Sequence, residues 1–252
     1  MVKCTTSLLA VDNKFDFGYT GKKYLNEKIK MSKKLFLFTS LVFIYFFSFS
    51  QVNDFAIWTG AAVKHKINSN LDVQVKGQLR FNENVTELGA LYAQADGEYS
   101  LSNSFSVGLA YRFERKRRTD DFYGSRHRIN LNASYKVESG NFDVSLRERF
   151  QTQYSDVNSS KDGKIADYYL RSKLTTKYKI SKSADGYVSG ELWYALNNGG
   201  NKQFDNVRYS GGLEYQLNGR NGIELFFLID KEFNVRHPSA NYVAGIMYSY
   251  SL

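Results

Sequence analysis

The residues of this chain best placed to do chemistry are long cations and carboxylates spaced at alternate positions. Arg112, Arg128, Lys136, Arg147, Arg149, Arg171, Lys173, Lys177 and Lys179 recur through its middle. Asp96 and Glu98 precede them, and Glu191, Glu214, Glu224, Asp230 and Glu232 follow. In extended chain, alternate residues point to one side of a sheet. Rolled into a closed sheet, the first set becomes a basic wall and the second an acidic wall facing it. Held apart by water, such walls set up a transverse field that draws anionic or dipolar solutes along the basic side. In contact, they form a salt-bridged plug. Both arrangements stay open at this level.

A second chemistry is hydrolysis or acyl transfer on lipid. Ser125 precedes His127, and His237 precedes Ser239. Neither pair sits in a nucleophile motif, and a triad is defined by spatial geometry. The expectation is that none of His65, His127 and His237 is catalytic, with lipid hydrolysis kept as the rival function. Three His without a close His, Asp or Glu pattern argue against a zinc site. The single cysteine is Cys4, which leaves no disulfide framework and no thiol catalysis in the rest of the chain. No glycine loop for phosphate is present, and the cations are dispersed, which argues against nucleic acid. No cofactor and no metal are expected.

The elements that must position the charged residues read as strands. In "FSVGLAYRF", Phe105, Val107, Leu109, Tyr111 and Phe113 share one face, with Ser106, Gly108, Ala110 and Arg112 on the other. "INLNASYKV" and "VRYSGGLEYQL" repeat the pattern. The predicted segments are 54–67, 71–82, 89–101, 105–118, 125–138, 142–155, 166–181, 186–197, 207–218, 223–235 and 242–252. Most are longer than the ~5–6 residues of a soluble strand and long enough for the ~9–11 that cross a bilayer at a tilt. Short connections (NSN, SNS, SGN, KSAD, NGRNG) alternate with longer ones (ENVTEL, TDDFYG, VNSSKDGKI, GGNKQFDN, RHPSAN), and the only proline, Pro238, falls in a long one.

This is the pattern of an all-β, transmembrane, antiparallel up-and-down barrel of about 10–12 strands, with short periplasmic turns and longer outer loops. A soluble two-sheet sandwich would alternate too, but aromatics gather near the strand ends (Phe55, Phe81, Tyr99, Phe105, Tyr168, Tyr178, Phe233, Tyr248, Tyr250), as interface girdles do. Eleven segments is an odd number. An even barrel needs residues 51–60 to form a separate strand, or a segment elsewhere to be divided or fused. Glu148 falls on the lipid-facing side in mid-strand, where a bulge in 142–155 is expected to turn it away; His65 and Lys231 fall on that side nearer strand ends.

Upstream, "MSKKLFLFTSLVFIYFFSFSQ" carries Lys33 and Lys34, an apolar run from Leu35 to Phe47, and small residues at Ser48 and Ser50. These are the three parts of a secretory signal in order. The run is shorter than the ~20 residues of a spanning helix. The expected organisation is therefore a gene-start artefact without ordered structure over 1–30, with Met31 as the start, a cleaved signal over 31–50, and a barrel over 51–252 beginning at Gln51. Of the net charge of +9, residues 1–50 hold eight Lys and three acids, so the remainder carries only +4.

The stretches "DFAIWTGAAVKHKINSNLDVQVKGQLRF", "LSNSFSVGLAYRF", "RHRINLNASY" and "LRERFQTQY" resemble the bacterial family catalogued as domain of unknown function 2490 (DUF2490), from about Asp54 to Leu252. The signal ending in "FSFSQ" resembles those of Bacteroidetes exports. The resemblance implies an outer-membrane barrel and brings no activity or site residues. The function expected is a narrow channel whose basic wall is Arg112, Arg128, Arg147, Arg149, Arg171, Lys173 and Lys177, and whose acidic wall is Asp96, Glu98, Glu191, Glu214, Glu224, Asp230 and Glu232. A closed structural or binding barrel acting through its outer loops, such as 157–165 and 199–206, is the alternative. The partners implied are outer-membrane lipid, the barrel-assembly machinery and small polar or anionic solutes.

Overall fold

A computed structural model describes residues 52–118, 122–155, 166–198, 201–235 and 238–252. The stretches 1–30 and 31–50, His237 and the loop 157–165 lie outside the described residues. The strands are β1 (Val52–Lys66), β2 (Leu71–Asn82), β3 (Glu87–Ser100), β4 (Phe105–Arg117), β5 (Tyr123–Ser139), β6 (Phe142–Ser155), β7 (Asp167–Lys179), β8 (Ala184–Asn198), β9 (Asn201–Gln216), β10 (Asn221–Glu232) and β11 (Ser239–Ser251). They close into a barrel, each antiparallel to its chain neighbour.

The odd strand number is real, and no twelfth strand forms among the described residues. In an up-and-down barrel of eleven strands the first and last run the same way, so the closing seam must be parallel. β1 pairs with β11 in parallel from Val52 opposite Ser239 to Lys64 opposite Ser251. The expectation of an all-antiparallel barrel is corrected at this one seam.

Four of the five short turns share one construction, legible in the sequence as an apolar residue, then Asn or Ser, then two more residues. Ile67, Leu101, Ile180 and Leu217 donate their backbone N–H to the carbonyls of Leu71, Phe105, Ala184 and Asn221. The next side chain caps the turn: Asn68 Oδ1 accepts from the N–H of Asn70 and Leu71, Ser102 Oγ from Ser104 and Phe105, Ser181 Oγ from Ser183, and Asn218 Oδ1 from Arg220 and Asn221. Local capping of this kind is what Asn and Ser do best. The fifth turn, between β5 and β6, relies on Gly140 at φ 59°, a left-handed conformation open to glycine.

At the opposite end the expected loop 199–206 is corrected: Asn201 to Asn206 belong to β9, while residues 199 and 200 lie outside the described residues. The polar composition of this stretch reads as loop, yet Gln203, Phe204 and Asn206 pair with Ala195, Tyr194 and Trp193 in the ladder. The β2–β3 turn is held open differently. Glu83, Asn84 and Val85 all adopt positive φ, and Asp54 accepts hydrogen bonds from the N–H of Glu83 at 3.1 Å and of Asn84 at 2.9 Å.

Every strand presents apolar side chains outward, from Val63, Val75, Leu91 and Leu109 through Leu131, Leu146, Leu174 and Val188 to Leu213, Leu225 and Ile246. Such a belt around the whole circumference is unfavourable in water at ~25 cal/mol per Å² and matches hydrocarbon. A closed ladder leaves no backbone edge unpaired there. The barrel has the architecture of a transmembrane protein.

The bulge expected to turn Glu148 inward does not form. β6 runs in continuous register with β5 and with β7. Glu148 therefore stays on the outer face, opposite Ala133 and Ser172, and accepts a hydrogen bond from Ser172 Oγ at 2.6 Å. Register shifts occur instead at Arg80/Phe81, Trp193/Tyr194 and Ala195/Asn198, all toward the long-loop end.

Candidate functional site: a vestibule and an arginine-rich constriction

The inward positions divide the lumen into two parts. At the short-turn end lie two adjoining cavities of about 540 and 440 Å³ that share Lys64, Gln74 and Lys76 as lining residues. The first reaches inward to Asn132, Arg147 and Arg149, and the second to Glu224 and Met247. Together they form a vestibule.

Above it the lumen is filled. Gln151 and Val243 are 0% exposed, and Asn130 and Ala110 are 1%. On the seam side the filling is apolar: Ala56, Leu228 and Val243 pack with Trp58 and Phe226. Gly245 leaves room for this cluster, since an added Cβ would lie 2.0 Å from Phe226 Cζ. On the other sides the filling is guanidinium and carboxylate. Arg147 and Arg171 each donate to a different oxygen of Glu191, at 2.6 and 2.7 Å. Arg171 also donates to Gln151 Oε1 at 2.8 Å and lies 3.7 Å over the Trp193 ring.

The ring of contacts continues around the barrel. Arg208 pairs with Asp230 and lies near both Trp193 and Trp58. Arg80 stacks over Trp58 at 3.8 Å and donates to Gln78 at 2.9 Å. Arg112 stacks over Tyr92 at 3.8 Å and donates to Gln94 at 2.6 Å. Arg128 meets Glu114 at 3.7 Å and Gln153 at 2.6 Å. Guanidinium stacks on aromatic faces and is more weakly hydrated than ammonium, which suits it to this dry cross-section.

The residues of both expected walls all stand on inward positions of their strands, as the burial and register patterns place them. They do not form separate walls. Glu191 lies directly between Lys173 on β7 and Arg208 on β9, so an acid sits among cations instead of facing them. Lys177 pairs with Glu214 at 2.6 Å, Lys76 with Asp96 at 3.2 Å, and Lys136 with Asp143 at 3.5 Å. Ser106 Oγ donates to Glu98 at 2.6 Å, Tyr187 OH donates to Glu224, and Glu232 accepts from Ser239 at 2.8 Å. The physical reason is the small bore. Long side chains from adjacent strands reach one another, and charges taken out of water lower their energy by pairing.

Sequence reasoning passed over Arg80, Arg208 and Glu114, and the aromatic surfaces Trp58, Tyr92 and Trp193. The signal was available in strand parity: Trp58 shares its face with Ala56, Gly60 and Ala62, whereas most aromatics face out. In these contacts six arginines (Arg80, Arg112, Arg128, Arg147, Arg171, Arg208) gather around three carboxylates (Glu114, Glu191, Asp230).

His127 sits on the outward face of β5. Its Nδ1 lies 2.7 Å from the Tyr111 hydroxyl, and its ring lies 5.2 Å from that of Phe113. These contacts place it in the aromatic girdle. His65 lies at the rim of the vestibule. No group of His, Cys, Asp and Glu among the described residues is arranged to hold a metal ion.

A family model described as "Protein of unknown function (DUF2490)" matches residues 55–240. No curated protein matches the sequence. The fold is similar to that of a protein described as "Bacterial polysaccharide outer membrane secretin", with 11% identity and a TM-score of 0.49 over 71% of this chain and 64% of that one. The chain thus spans about two thirds or less of that protein's length. It is also similar to the NanC porin (11% identity, TM-score 0.44, 69% of this chain and 84% of that one) and the KdgM porin (14%, 0.44, 76% and 89%).

Proposed function

We propose, from the premise that this chain belongs to the DUF2490 family of proteins of unknown function, that it is an outer-membrane barrel of channel type with a narrow, anion-preferring path. The observation that carries this reading is the excess of arginine over carboxylate where the vestibule meets the constriction. Confined charge between low-dielectric walls acts on a passing ion with less screening than at an open surface. A small anion entering the vestibule passes Lys64 and Lys66 at its mouth and reaches Arg147 and Arg149 at its inner end. Beyond them the path is filled, so conductance is small and depends on side-chain movement within the cross-section.

Planar-bilayer recording under a salt gradient tests this through the reversal potential. Anion preference is expected, and replacing Arg147 and Arg149 together by Glu should move it toward cations. A folded, heat-modifiable protein that gives no steps above leak would overturn the channel reading. It would favour the second one, a closed barrel acting through its outer loops, for which the full burial of Gln151 and Val243 speaks.

The apolar belt and the signal-like segment 31–50 support an outer-membrane location. The working partners are outer-membrane lipid, the barrel-assembly machinery and small polar or anionic solutes. N-terminal sequencing of protein from membrane fractions is expected to read from Gln51. Recovery in the soluble periplasm would contradict it. No catalytic step is assigned. Purified barrel should show no phospholipase or lipid-deacylase activity, and activity lost in His127→Ala would move the protein to the enzyme class.

A further inference from the structure

We infer that the inner end of the vestibule is a binding site for a divalent oxyanion, such as the phosphate or paired carboxylates of a small solute, held by Arg147 and Arg149 with Lys173 beside them. This rests on the anion-path reading for its use and on geometry for its existence.

Arg147 and Arg149 are two residues apart on the inward face of β6, and their cross-strand neighbours on β7 are Lys173 and Arg171. Cross-strand neighbours stand ~4.5–5.5 Å apart at Cβ, so the four cations form one compact patch. A single carboxylate serves it, Glu191, and its two oxygens are taken by Arg147 and Arg171. Four cations and one carboxylate leave a surplus of three positive charges. Arg149 uses its Nε on Asn132 Oδ1 at 2.7 Å, which fixes the guanidinium plane and leaves both of its terminal amino groups without an acceptor among the described residues. Lys173 has no hydrogen-bond or ion-pair acceptor among them either, although it neighbours Glu191 in the ladder.

The patch opens on space. Arg147, Arg149 and Asn132 line the larger cavity, of about 540 Å³. The acids on that cavity's other lining strands are engaged elsewhere: Asp96 pairs with Lys76, and Glu98 accepts from Ser106. Asp72, near the mouth, is offset by Lys64 and Lys66. A planar guanidinium offers two parallel N–H groups to two oxygens of one anion, which chloride cannot use. Divalency fits the surplus charge, and multiple oxygens fit the fork.

The chain has two tryptophans, Trp58 and Trp193, and Trp193 lies under Arg171, which shares Glu191 with Arg147. In a Trp58→Phe background Trp193 alone reports. Folded barrel in detergent is titrated with sulfate, inorganic phosphate and chloride at constant ionic strength, and isothermal titration of the same samples reads binding should the indole stay silent. Saturable binding of sulfate and phosphate is expected, at least tenfold tighter than of chloride. Arg149→Gln and, separately, Lys173→Gln should each weaken it tenfold or more, while Lys231→Gln on the outer face of β10 changes it less than threefold. Heat-modifiable migration verifies that each variant is folded, and either variant alone suffices. Absence of saturable binding, equal affinity for chloride, or unchanged affinity in both variants would overturn the site. Sulfate binding without bilayer conductance would sink the channel reading and keep the site; conductance without binding would do the reverse.

Discussion

The two halves of the lumen put their cations to opposite ends. In the short-turn half, Lys64, Lys66 and Lys76 line water-accessible space. In the long-loop half, Arg80, Arg171 and Arg208 lie against indole rings. The first arrangement leaves charge exposed to a solute, whereas the second spends it on holding strands together. The difference comes from which cation is used and from what stands beside it. Lysine ammonium is strongly hydrated and stays where water is; guanidinium tolerates a dry, stacked setting.

The largest break in this comparison should come from Arg171→Ala. Removal leaves Glu191 buried with Arg147 as its one hydrogen-bonding cation and empties the space over Trp193, and breaking a buried pair from one side costs about 3–5 kcal/mol. The matching change in the vestibule, Lys64→Ala, should cost less than about 0.5 kcal/mol, as surface substitutions do. Urea unfolding of the reconstituted barrel measures both. Equal losses would mean that the vestibule is packed as tightly as the constriction.

Next in size is the contrast between outside and inside. Leu131→Arg puts a charge at the middle of β5 on the lipid face and should cost about 2–4 kcal/mol. Ser134→Arg, three residues on and facing the vestibule, should be tolerated within about 0.5 kcal/mol. Reversed costs would exchange the two faces.

Smaller again is Gly245→Ala. The added methyl meets the Phe226 ring in the apolar cluster at the parallel seam, and overpacking of that kind costs about 1–3 kcal/mol. Gly97→Ala, where nothing lies within 4 Å of the new atom, should be neutral within about 0.5 kcal/mol. Thermal melts of the two variants decide it.

Much of the fold was legible because a strand's period is fixed by geometry. Alternation placed all eleven strands and the inward side of every wall residue. The turn residues Asn68, Ser102, Ser181 and Asn218 marked the short ends. What the sequence could not carry was pairing across the barrel. Arg147 and Glu191 are 44 residues apart, and their meeting depends on the offsets accumulated through β7 and β8. The separate walls were a one-dimensional reading of a cylinder in which long side chains on neighbouring and next-neighbouring strands reach one another. Glu148 was misjudged because its partner, Ser172, lies on the next strand and offers a hydrogen bond that alternation alone does not show. The parallel seam was implied by the odd strand number, yet the base expectation of an even barrel overrode it.

The division of the lumen into open and filled halves is tested most directly by thiol accessibility. The only cysteine is Cys4, so with Cys4→Ser any introduced thiol reports alone. Ser134→Cys on the vestibule and Asn130→Cys in the constriction stand four residues apart on the inward face of β5. A charged, water-soluble methanethiosulfonate reagent applied to the folded barrel should label Ser134→Cys readily and Asn130→Cys at least a hundredfold more slowly. Comparable rates at the two positions would show that the cross-section is open to water and would contradict the account.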